Sequence, residues 1–127
     1  MRGSGLIVLL AAVPLAGCAA ASVPPAADVT AVELRSRSDG LVDVVATGRV
    51  SGVVEDGGTC RFTFWADNGA ASRLTGEGRG ADGATVCGPV SERLDWILPS
   101  GHYEVELRYE SPTTDLRSPR VDVELRP

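Results

Sequence analysis

From Asp28 onward, apolar and polar residues alternate one for one in short runs broken by turn residues, and no stretch sustains a helical apolar period. A period of two fits a strand with one face in a core and one in water. The chain is therefore expected to be all-β. Tyr103 to Tyr109 is the clearest run, with Tyr103, Val105, Leu107 and Tyr109 facing inward and Glu104, Glu106 and Arg108 outward. Thr59 to Ala66 repeats the pattern: Cys60, Phe62 and Phe64 share one face, and Arg61, Thr63 and Trp65 the other. Shorter inward sets are Val32 and Leu34; Val42, Val44, Ala46 and Val50; Leu94, Trp96 and Leu98; and Val121, Val123 and Leu125.

Between these runs stand Ser38-Asp39-Gly40, the hairpin-type turn Glu55-Asp56-Gly57-Gly58, Asp67-Asn68-Gly69 and Pro99-Ser100-Gly101. The Gly-rich stretch from Ala70 to Gly88 reads as one short strand around Arg73 to Thr75, followed by a long loop that holds Cys87. A polar loop is expected from Ser111 to Pro119. About seven strands at this spacing point to a β-sandwich. The segment from Leu98 to Leu107 resembles the corner between strands E and F of immunoglobulin-like and fibronectin type III-like domains, with Tyr103 in the position of the corner tyrosine. That resemblance implies an immunoglobulin-like sandwich in which the third, sixth and seventh strands share a sheet.

The N-terminus carries an address. Arg2 precedes an apolar run from Leu6 to Val13, too short for a permanent span of roughly 20 residues. Leu15-Ala16-Gly17-Cys18 follows and resembles the bacterial lipobox, which implies cleavage before Cys18 and a diacylglyceryl group on its thiol. Two acyl chains anchor stably where one is marginal. The competing reading is an ordinary secretory signal cut near Ala19-Ala20-Ala21. Residues 1–17 are thus read as a signal peptide, 18–27 as lipidated N-terminus and linker, and 28–127 as the β domain. Extended at about 3.1 Å per residue, the linker keeps the domain close to the outer side of the cell membrane.

With Cys18 acylated, Cys60 and Cys87 remain in an oxidising compartment and are expected to pair. A metal site would need further ligands, and His102 is the single histidine. The formal charge of −5 disfavours nucleic acid as a partner. All basic residues are arginines and they are scattered, a pattern attributed to codon bias.

Chemistry is sparse. There is no lysine, no Gly-x-Ser-x-Gly pattern and no phosphate-binding Gly-rich loop, so neither catalysis nor a cofactor is expected. The carboxylate pairs Glu104/Glu106 and Asp122/Glu124 sit at alternate positions of strands and read as solvated faces. His102 reads as a surface histidine at a strand start. What stands out is the outward side of the shared sheet, where Arg61, Thr63, Trp65, Glu104, Glu106 and Arg108 form the candidate binding face, extended by Arg120, Asp122 and Glu124. An outward Trp beside Arg has the composition of an interface hot spot. The plainer reading is an ordinary exposed aromatic among cross-strand ion pairs. The function expected is a non-catalytic module that binds or scaffolds an envelope protein or glycan. The alternative is a small inhibitor or accessory subunit of an envelope enzyme complex, using loops such as Ser111 to Pro119.

Overall fold

The computed structural model describes residues 24–94 and 100–126. The signal peptide, Cys18, Trp96 and Leu98 lie outside them. Eight strands follow in chain order: β1 (Ala26–Ser36), β2 (Val42–Ser51), β3 (Thr59–Ala66), β4 (Ala71–Ala81), β5 (Ala84–Arg93), β6 (Gly101–Glu110), β7 (Asp115–Arg117) and β8 (Val121–Leu125). All pairings are antiparallel, in the order β1-β2-β5-β4-β3-β6-β7, with β8 also on β6. The fold class is all-β, as the alternation requires.

The sheet curls because β4 turns a corner. Ala71 to Glu77 pair with β3, whereas Gly78 to Ala81 pair with β5. One layer is thereby β1-β2-β5 and the facing layer is β3-β6 with β7 and β8, a sandwich-like arrangement. The two layers contribute Val44, Ala46 and Val50 from one side and Phe62, Phe64, Val105, Leu107 and Tyr109 from the other, all fully buried. Cys60 on β3 and Cys87 on β5 form a disulfide between the layers, with Cα atoms 5.8 Å apart.

The region from Ala70 to Gly88 differs from expectation. It is a hairpin of two long strands, and Cys87 sits within β5 rather than in a loop. Its tight turn is Asp82-Gly83, with φ of 52° and 76°, the left-handed pair of a type I′ hairpin. Two features hide these strands from a periodicity reading. Gly76 and Gly78 leave no inward side chain to count, and their bareness is required, since a Cβ at Gly76 would strike Val90 and one at Gly78 would strike Tyr109. On β5, Gly88 and Pro89 together face Thr47, so the inward series shifts from Thr85 and Cys87 to Val90.

Three smaller differences follow from pairing. Glu55 to Gly58 is not a hairpin turn: β2 and β3 lie in different layers, and the segment crosses between them, tied by Thr85 Oγ1 to Val53 O (2.7 Å) and to Glu55 N (3.2 Å). Within the expected loop from Ser111 to Pro119 lies β7, which with β8 forms two halves of one edge along β6. Ser118 joins them: its N–H donates to Leu107 O at 2.8 Å, and its hydroxyl accepts from Leu107 N at 2.8 Å. At the other end, β1 begins at Ala26, and Ala27 is buried against the core rather than part of a tether.

Candidate functional site

The register of three strand pairs places the outer face of the β3-β6 layer. Across β3 and β6, Arg61 stands opposite Arg108, Thr63 opposite Glu106 and Trp65 opposite Glu104. All six residues of the expected face are therefore brought together. On one flank, β4 adds Thr75 beside Arg61, Arg73 beside Thr63 and Ala71 beside Trp65. On the other, Arg117 of β7 stands opposite Arg108, and Asp122 of β8 opposite Glu104.

The charges on this face are organised in rows. Arg61, Arg108 and Arg117 are neighbours across three strands, an arrangement that repels unless other groups neutralise it. Neutralisation is diagonal. Arg61 reaches Glu110 at 3.1 Å, Arg108 forks onto both oxygens of Asp115 at 3.1 and 3.0 Å, and Arg117 reaches Glu106 at 3.2 Å. The fork onto Asp115 raises the Arg108 pKa and lowers that of Asp115. Nearer β8, Arg120 reaches Glu104 at 3.3 Å and lays its guanidinium 3.7 Å from the centre of the Trp65 ring.

Trp65 is thus not the open ring that alternation alone implies. It is part-buried, with one face covered from within the domain by Arg120. Trp65 also borders a depression of about 110 Å³ whose lining includes Arg61, Thr63, Arg73, Glu106, Arg108 and Arg117. Sequence reading missed Arg73 and Arg117 here. Arg73 alternates with Thr75 and Glu77 along β4, a pattern masked by the intervening glycines, and Arg117 belongs to a strand of three residues inside an expected loop.

The remaining candidates lie elsewhere. At the start of β6, His102 holds Nδ1 3.0 Å from Asp67 and Nε2 3.3 Å from Asp122, so carboxylates occupy both sides of the ring. The hydrogen bond with Asp67 is the main cause of its raised pKa. Glu124 pairs with Arg126 at 2.9 Å. Tyr103 is buried and meets Phe64 edge-on at 6.4 Å between ring centres. The preceding residues 95–99, which include the first two of the expected corner, lie outside the described residues.

No protein-family model matches the chain, and neither does any curated protein or solved structure.

Proposed function

We propose that this chain is an envelope lipoprotein, anchored through Cys18 on the extracytoplasmic side of the membrane, whose β domain binds or scaffolds another envelope component without catalysis. The immunoglobulin-like resemblance belongs to the same proposal. One observation carries the binding reading: Trp65, half-covered by Arg120, forms the wall of an arginine-lined depression at the centre of a four-strand face. A large aromatic beside guanidinium groups is what alanine scanning finds at the energetic centre of interfaces. The segment from Ser111 to Pro119, on which the inhibitor alternative relied, is engaged internally. Thr113 donates to Glu55 at 3.0 Å, and Arg117 serves the face itself.

The test pairs anchor and face. Cys18→Ser is expected to lose its lipid label and leave the membrane fraction or remain unprocessed. In the intact lipoprotein, Trp65→Ala is expected to stay folded while partner capture falls about thirtyfold, equivalent to roughly 2 kcal/mol. Undiminished capture by the folded variant overturns the face.

A further inference from the structure

We infer that the depression beside Trp65 is an oxyanion subsite that takes a carboxylate or phosphate group carried by the envelope ligand. This rests on the binding-face reading above.

The lining sets four arginines against one carboxylate, Glu106. Three of those arginines have partners at the rim: Arg61 with Glu110, Arg108 with Asp115 and Arg117 with Glu106. Arg73 has none among the described residues, either as an ion pair or as a hydrogen bond. It stands opposite Thr63 on β4 and is exposed to solvent. A guanidinium presents a planar fork that matches the two oxygens of a carboxylate or phosphate.

Thr63 is only 7% exposed, yet its hydroxyl has no hydrogen-bond partner among the described residues, and its side chain lines the same depression. Facing the depression, that hydroxyl has solvent or a ligand as its hydrogen-bond partner rather than another side chain. A ligand oxygen accepting from Thr63 and from Arg73 would take the place of that solvent.

The depression, of about 110 Å³, has room for a carboxylate or phosphate group. Trp65 on one wall lowers the local polarity and strengthens charge-assisted bonds made beside it.

The experiment uses the intact lipoprotein in neutral detergent, followed by backbone amide NMR, with sodium glucuronate, inorganic phosphate, glucose and sodium chloride added at fixed ionic strength. Saturable shifts centred on Thr63, Trp65 and Arg73 are expected with at least one of the two oxyanions and with neither control. Which of them responds assigns the group as carboxylate or phosphate. Arg73→Gln is expected to weaken that binding about tenfold. Thr63→Val keeps the shape of the side chain and is expected to weaken it several-fold. No saturable shift beyond the chloride control, or shifts indifferent to Arg73→Gln, overturns the subsite. Trp65→Ala separates the two levels: lost capture without anion binding removes the subsite alone, whereas anion binding with undiminished capture keeps the subsite and removes the face.

Discussion

The Arg120 guanidinium lies 3.7 Å above the Trp65 ring while also reaching Glu104 at 3.3 Å. One side chain from the β7-β8 edge thereby covers half of an aromatic that β3 alternation forces outward. A cation over an exposed indole contributes about 0.5–1 kcal/mol. Arg120→Ala is expected to lower stability by about that amount in denaturant unfolding, and Arg120→Lys by less. A loss well above it would mean that Arg120 supports the β7-β8 edge rather than only the ring.

The disulfide ties β3 to β5 across the core, and both cysteines are fully buried. Closing that loop in the unfolded chain stabilises the fold by about 3.5 kcal/mol on the chain-entropy account. Replacing Cys60 and Cys87 together by Ala is expected to cost at least this much in urea unfolding. A cost below about 1 kcal/mol would show that the layers pair without the covalent link.

Tyr109 donates to Glu55 at 2.6 Å, and its ring runs over Gly58 so closely that a Cβ there would overlap the phenol. Gly58→Ala is therefore expected to destabilise by about 1–3 kcal/mol, the usual cost of overpacking. Burial, reinforced by the bond to Glu55, pushes the Tyr109 phenol up to about 12. The stabilisation tied to its protonated form is complete below the unfolded value near 10 and fades as pH rises through about 12. Ultraviolet titration should show late ionisation of this phenol, and a midpoint near 10 for both tyrosines would contradict the arrangement.

His102 offers a clean pH probe because it is the only histidine. Its hydrogen bond with Asp67, aided by the nearby charges of Asp122 and Glu124, raises its pKa above 6.5. A raised pKa means that the folded state holds the proton more tightly than the unfolded state. The resulting stabilisation is complete below pH 6.5 and is lost as pH climbs through the folded value. Imidazole NMR should give a midpoint above 6.5 that moves down in Asp67→Asn. A midpoint unmoved by that change would remove Asp67 as the cause.

What was legible in the sequence depended on whether the pattern survived locally. In β3 from Cys60 to Phe64 and in β6 from Tyr103 to Tyr109 the inward positions are filled by large or sulfur-bearing residues, so Phe62, Phe64, Val105, Leu107 and Tyr109 announced the core, and Arg61, Thr63, Trp65, Glu104, Glu106 and Arg108 the outer face. The β4-β5 hairpin hid because Tyr109 and Val90 fill the space that side chains at Gly78 and Gly76 would otherwise occupy. That information lies on other strands. Asp82-Gly83 was the one local sign of a hairpin there. The covering of Trp65 was illegible for a related reason, since the position of Arg120 is set by the Ser118 link between β7 and β8.

Site-directed photocrosslinking in intact envelopes tests the proposed docking of an envelope partner on the outer face that carries Trp65. A photoreactive residue at Thr75, exposed on β4 of that face, is compared with one at Arg49, exposed on β2 of the opposite layer. A discrete adduct is expected from position 75, lost when Trp65→Ala is combined with it, and none from position 49. Adducts from position 49 alone, or adducts from position 75 that survive Trp65→Ala, would rule out docking on the Trp65 face.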